Sequence, residues 1–184
     1  MRIISGIYGG RQLQAPKSLP VRPTTDYAKS GLFSILQHRY NFKKLEVADL
    51  FAGTGSLTYE FLSRGCPSVV AVDKHPGCIK FIRETFGKFG MTGGSAITAD
   101  ALKFLKNRLS PFDIIIADAP FADTPAEALS AAVTEGRLLK KNGVLIIEHQ
   151  TKNSLSQVPG FLETRKYGNV SFSFFGMSEE APNE

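Results

Sequence analysis

The residues Asp49-Leu50-Phe51-Ala52-Gly53-Thr54-Gly55-Ser56-Leu57 constrain this chain more than any others, because they read as a buried strand that runs into a glycine turn and then into a helix. Val47, Leu50 and Phe51 supply the apolar strand, while Gly53 and Gly55 permit a sharp turn and a close approach of backbone to a ligand. Downstream the same rhythm repeats. Short apolar runs predict strands over 46–51, 68–73, 95–99, 112–117 and 143–148, of the kind buried on both faces of a parallel sheet. Helices fit between them: one runs from Ser56 to Gly65, and another carries Ile79, Ile82, Phe86 and Phe89 at helical spacing. Segments 164–167 and 170–175 flank Gly168-Asn169 as a hairpin. Upstream, 2–5 and 12–14 predict a small hairpin, 16–23 an extended linker, and 26–38 a helix capped by Thr24 or Thr25, with Ala28, Leu32, Ile35 and Leu36 on one face. The expectation is one α/β domain with a doubly wound, mostly parallel seven-stranded sheet and a C-terminal antiparallel hairpin. Residues 1–44 form a basic hairpin-and-helix appendage, 45–177 the core and 178–184 a polar tail.

Charge is unevenly placed. Residues 1–44 carry eight basic groups against Asp26 alone, a net +7, while the other 140 residues sum to −2. That is the footprint of a protein that docks a polyanion, although a solvated basic surface gives the same count. A hydrophobic fraction of 42% without a long apolar run excludes a membrane span, and the opening MRIISG does not resemble a signal peptide. Cys66 and Cys78 form no CxxC pair, so the expected compartment is the reducing cytoplasm. The apolar runs are all accounted for by one core, which predicts a monomer. His38, His75 and His149 share no ligand spacing with each other or with the cysteines, so no metal is expected. No serine lies in a G-x-S-x-G context, which leaves a hydrolase unsupported.

In an open α/β sheet, ligands bind beyond the carboxyl ends of the strands. Acids mark four successive ends here: Asp49, Asp73, Asp100 and Asp118. One such acid is usually a helix cap, but four in consecutive units point to a ligand. Asp73 follows Asp49 by 24 residues, where a nucleotide-binding fold places a carboxylate on ribose hydroxyls. This spacing suits S-adenosylmethionine and a nicotinamide dinucleotide alike. The third glycine of the dinucleotide fingerprint is replaced by Thr58, which disfavours a pyrophosphate. The expected cofactor contacts are Asp49, Phe51, Ala52, Gly53, Thr54, Gly55, Asp73, Lys74, Asp100, Ala101 and Asp118.

The strand FDIIIADAPF ends in Asp118-Ala119-Pro120-Phe121, close to the Asp/Asn-Pro-Pro-aromatic signature of enzymes that methylate exocyclic amines of nucleobases. Such an amine is a poor nucleophile because its lone pair is delocalised into the ring. Acceptors on its protons, here the Asp118 carboxylate and the Ala119 carbonyl, draw density onto nitrogen and stabilise the charge that develops there. Pro120 biases Ala119 toward extended backbone, and Phe121 offers a stacking face. Glu148 and His149 close the fifth strand, where they either line the base pocket or cap a helix.

Added to these are the opening MRIISGIYGGRQLQAP, the segment Arg22-Pro23-Thr24-Thr25-Asp26 followed by Leu32-Phe33, and Glu60 with Leu62-Ser63-Arg64-Gly65 after the glycine turn. Over nearly its whole length the chain thus resembles the RsmD-like 16S ribosomal RNA guanine-N2 methyltransferases. The resemblance implies a Rossmann-like class I methyltransferase fold, S-adenosylmethionine as cofactor, and 16S ribosomal RNA or the small ribosomal subunit as partner. It also implies that the N-terminal hairpin and the Arg22-Pro23-Thr24 segment border cofactor and RNA, making Arg2, Arg11, Arg22, Thr24 and Lys29 the expected nucleic-acid contacts. The chain departs from the family at Ala119, which replaces the first proline, and at Tyr27-Ala28-Lys29-Ser30, which replaces Arg-Val-Arg-Glu. Two alternatives remain open at this level: methylation of adenine N6, and an RNA-binding or assembly factor that keeps the fold without activity.

Overall fold

Helix α1 (Asp26–Arg39) begins where the Thr25 hydroxyl accepts the Ala28 amide at 3.2 Å, and it carries Asp26 in its first turn and His38 and Arg39 in its last, matched to the helix dipole. The structure, a computed structural model, describes residues 1–16, 18–19, 25–119 and 124–177. After a 3-10 turn at Phe42–Lys44 the chain alternates through β1 (Glu46–Leu50), α2 (Ser56–Ser63), β2 (Ser68–Asp73), α3 (Pro76–Phe89), β3 (Gly94–Thr98), α4 (Ala101–Lys106), β4 (Phe112–Ala117), α5 (Ala126–Glu135) and β5 (Leu139–Gln150). It closes with β6 (Phe161–Tyr167) and β7 (Val170–Phe175).

These strands form one seven-stranded sheet in the order β3-β2-β1-β4-β5-β7-β6. The first five are parallel, and β7 runs antiparallel between β5 and β6. Order reverses between β1 and β4, which places the ligand crevice of a doubly wound sheet beside the glycine turn. Strand alternation sends Val47, Ile114 and Ile146 into a core shared with α1, α2 and α3, and Ala48, Ile115 and Leu145 into a second core under α4 and α5.

β6 starts at Phe161 rather than at 164, and two further expected elements differ from the observed ones. β5 starts at Leu139 rather than near residue 143: the polar Lys140-Lys141-Asn142-Gly143 stretch bulges out, with Asn142 at φ 62°, between the pairs Phe112↔Leu139 and Ile114↔Val144. The N-terminal hairpin is reduced to one bridge, Arg2↔Gln12.

The N-terminal segment is held by polar side chains of α2. Glu60, fully buried, accepts the amides of Ile4 and Ser5 at 2.8 and 3.1 Å and pairs with Arg64 at 2.9 Å. Ser63 accepts the Tyr8 amide at 3.0 Å and donates to the Ser5 carbonyl. Lys29 joins this cluster, and its placement corrects the expectation that it meets nucleic acid. It is 1% exposed, donates to the Arg2 carbonyl and the Ser56 hydroxyl, and lies 3.7 Å from Glu60. Burial lowers its pKa, against which the Glu60 carboxylate works. A lysine committed to a buried pair has no charge to offer a phosphate.

Candidate active site

Left-handed backbone makes the corner after β1. Phe51, Gly53 and Gly55 have φ of 58°, 53° and 81°. For Phe51, a residue with a Cβ, this costs about 1–2 kcal/mol, strain of the kind held at ligand sites. At Gly55 a Cβ would come within 2.8 Å of the Tyr59 ring, so glycine is required by space as well as by φ. The turn closes through Gly55 N–H to the Ala52 carbonyl at 2.7 Å, and Ala52 N–H reaches the Val72 carbonyl of β2 at 3.0 Å.

Acids lock the corner from behind. Asp49 is 2% exposed and accepts both the amide and the hydroxyl of Thr58, in the first turn of α2. It does what the α2 N-cap residue, Gly55, has no side chain to do. Asp49, expected among the cofactor contacts, is therefore a residue that positions the turn. Desolvation raises its carboxyl to about 7, against the two Thr58 bonds and with the help of the Asp118 and Asp73 charges. Asp73 accepts Gly53 N–H and His75 N–H, both at 2.8 Å, one on each oxygen. Each oxygen keeps a second lone pair for a ligand hydroxyl. Asp100 caps α4 through the Lys103 amide at 2.9 Å and remains exposed, as does Lys74. Thr54 and Ala101 are buried, while Ala52 and Gly53 are half-buried at the corner.

One further group faces this corner. The Tyr59 hydroxyl is buried without a hydrogen-bond partner among the described residues, 2.9 Å from where a Gly55 Cβ would be. The Thr85 hydroxyl beside it donates to the Phe81 carbonyl at 2.8 Å and keeps its lone pairs toward Tyr59. A glycine cradle, a strained turn and carboxylate lone pairs beyond two adjacent strands fit a nucleoside cofactor with an amino-acid tail.

Beyond β4 the chain opens a cavity of about 850 Å³, in the range of small-molecule sites. Asp118 and Ala119 line it from β4, Glu148 and His149 from β5, Thr25 and Tyr27 from the start of α1, and Tyr167 from the β6–β7 hairpin. Water reaches Asp118 in this open cavity, yet desolvation by the surrounding protein still raises its carboxyl to about 6. Tyr27, 70% exposed, meets Tyr167 edge-on with ring centroids 5.9 Å apart. Tyr167 in turn packs where α1 has Gly31: a Cβ there would fall 2.0 Å from its ring. His149 is held by Ser173 at 2.7 Å, with burial lowering its pKa. Because β5 leads into no helix, Glu148 and His149 have no helix to cap, and both line the cavity.

The other expected contacts divide. Arg22, Thr24, Pro120 and Phe121 lie outside the described residues. Arg2 is exposed and 3.4 Å from Asp26, and Arg11 is exposed over the rings of Tyr8 and Phe89. Sequence reasoning missed Tyr167 and Lys152 as cavity residues; Tyr167 had a signal in its place beside the Gly168-Asn169 turn, and Lys152 had none in its local sequence. Among the described residues, no group of three or more His, Cys, Asp or Glu could hold a metal ion, and no helix is long and apolar enough to cross a membrane.

Known proteins are similar to this chain in sequence and in fold. Ribosomal RNA small subunit methyltransferase D of Buchnera aphidicola is 30% identical over 160 residues, covering 86% of this chain and 81% of its own. A hypothetical protein from Thermus thermophilus superposes with a TM-score of 0.82 at 26% identity, covering 95% of this chain and 98% of its own. A precorrin-6y C5,15-methyltransferase from Geobacter metallireducens shares the fold with a TM-score of 0.70 at 20% identity, over 91% of this chain and 95% of its own. The family described as conserved hypothetical protein 95 matches residues 1–176, so this chain belongs to that family, the RsmD-like one its motifs resemble, and has the class I methyltransferase fold.

Proposed function

We propose that this protein transfers a methyl group from S-adenosylmethionine to the exocyclic N2 amine of a guanine in small-subunit ribosomal RNA. The observation that carries the reading is the placement of Asp118 and Ala119 in the wall of a cavity large enough to admit a base, one sheet position from a glycine corner that fits the cofactor. The name of the Buchnera relative supports a ribosomal RNA substrate. When bound, the cofactor supplies an electrophilic methyl on a cationic sulfur. Gly53 and Gly55 give its amino-acid end a backbone cradle, Asp73 takes the ribose hydroxyls, and Asp100 and Ala101 border the adenine. Lys74, Phe51 and Ala52 complete the walls.

With its carboxyl at about 6, Asp118 is mostly ionised at neutral pH and accepts one amine proton. The Ala119 carbonyl accepts the other, turning the nitrogen lone pair toward the methyl. No strong base is required: as the nitrogen–carbon bond forms and the carbon–sulfur bond breaks the amine becomes acidic, and its proton passes to the Asp118 carboxylate. Ala119 provides a carbonyl as well as proline would. The target amine must leave its base pair, so the substrate is an unpaired or flipped-out guanine. The basic groups of residues 1–44, apart from the buried Lys29, draw the RNA in.

The test is transfer of labelled methyl to small ribosomal subunits lacking the modification, followed by nucleoside analysis. Wild type should label N2-methylguanosine, and Asp118→Ala should lower the rate about a hundredfold or more. Label in N6-methyladenosine, or no label despite cofactor binding, would refute the reading.

A further inference from the structure

We propose that Glu148 selects guanine, by accepting the N1–H of its Watson–Crick edge while Asp118 and the Ala119 carbonyl hold the neighbouring N2 amine. This rests on the guanine-N2 reading above. The β4–β5 register pairs Ala117 with Ile147, so the next residues, Asp118 and Glu148, leave adjacent strands side by side. Strand spacing separates such neighbours by about 4.8 Å. Alternation carries both to the face of Ile116 and Ile146, which is the face of α1, and both line the cavity with Tyr27 and Tyr167. Glu148 is 6% exposed. A carboxylate has about four acceptor positions, so it takes a base N–H in addition to bonds within the protein.

Base chemistry turns this pair into a filter. Guanine presents N1–H and the N2 amine next to each other, two donors for two carboxylates. Adenine presents its N6 amine beside the bare lone pair of N1, which a carboxylate at Glu148 repels. A site built to bond a particular N–H rejects an analogue lacking it far more strongly than an apolar pocket rejects a change of shape. Asp118 alone serves either purine amine; the second acid makes the site a guanine site.

The experiment compares RNA carrying guanine or 2-aminopurine at the target position. 2-Aminopurine keeps the reactive amine but lacks N1–H. Wild type should methylate guanine about a hundredfold or more faster. Glu148→Gln, whose amide donates to a bare N1, should shrink that ratio to within about tenfold, while adenosylmethionine affinity by calorimetry stays unchanged. Both substrates are read on one preparation, so the ratio is insensitive to any misfolded fraction. Glu148→Asp keeps the acceptor and should keep the preference for guanine at a lower rate. A wild type indifferent to the two bases, or a Glu148→Gln protein that retains the wild-type ratio, overturns the role of Glu148 and leaves the guanine-N2 reading standing. A wild type that methylates neither base overturns both.

Discussion

Replacing Asp49 by asparagine should stabilise this protein at neutral and alkaline pH. Asp49 is 2% exposed, and burial raises its carboxyl from 3.8 to about 7. An acid that holds its proton more tightly in the folded state than in the unfolded chain contributes stability that is complete below the unfolded pKa and is lost as pH rises through the folded one. For Asp49 the loss runs from 3.8 to about 7, and above that an ionised carboxylate is buried at a cost. At about 1.36 kcal/mol per unit this amounts to at most about 4 kcal/mol between the ends of the window. Asparagine keeps an oxygen for the Thr58 amide and hydroxyl and does not titrate, while exchanging charge-assisted bonds for neutral ones gives back about 1 kcal/mol. Asp49→Asn should therefore be about 1–3 kcal/mol more stable than wild type near pH 8 and no more stable near pH 4. Urea unfolding of both ligand-free proteins across that range is the assay. Because other groups titrate in the same window, the informative quantity is the difference between the two proteins. A difference that does not vary with pH, or a variant less stable near pH 8, would refute the reasoning.

Glu60→Gln leaves the buried Lys29 and the neighbouring Arg64 without their carboxylate and should cost about 3–5 kcal/mol, lowering Tm by about 6–20 °C. Lys29→Met, which leaves Arg64 on Glu60, should cost less than half as much; thermal melts that ranked the two the other way would remove Glu60 as the anchor of the N-terminal segment. Binding the cationic adenosylmethionine beside carboxyls raised to about 7 at Asp49 and about 6 at Asp118 should release protons at a pH between those values. Adenosylhomocysteine, with a neutral sulfur, should release fewer, and calorimetry in buffers of different ionisation enthalpy that found equal release would contradict the assignment.

The glycine corner was legible because it is local: strand, turn and helix start lie within a few residues, and left-handed glycines have few other uses. Asp118 was legible for the same reason, as the polar end of an apolar run. The far wall of the cavity was not. Tyr167 reaches it because β7 inserts between β5 and β6, a pairing no local pattern encodes, and because Gly31 leaves room on α1. Lys29 was read from its charge when its spacing was informative: it shares a helical stripe with Leu32, Phe33 and Leu36, all buried. A cation on the apolar stripe of a helix signals a buried partner, and Glu60 was the acid available. Lys140 to Gly143 looks like a loop in the sequence, which hides the first residues of β5, and in the sheet it is a bulge.

The distribution of charge links the fold to the proposed chemistry. Alternation along β1, β2, β4 and β5 carries Asp49, Asp73, Asp118 and Glu148 to one face of the sheet, that of α1 to α3, while the protein as a whole is +5. A positive exterior attracts every phosphate of an RNA equally and reads none of them. An acidic floor does the opposite: it repels phosphate and accepts only groups that bring N–H donors or positive charge. A flipped guanine edge and a sulfonium meet that condition, and a sugar-phosphate strand does not. In the proposed reaction, long-range attraction and short-range rejection in one molecule hold the backbone at the rim and admit the base. Neutralising the floor should thus alter which base is methylated more than how tightly RNA binds, whereas removing exterior lysines and arginines should do the reverse.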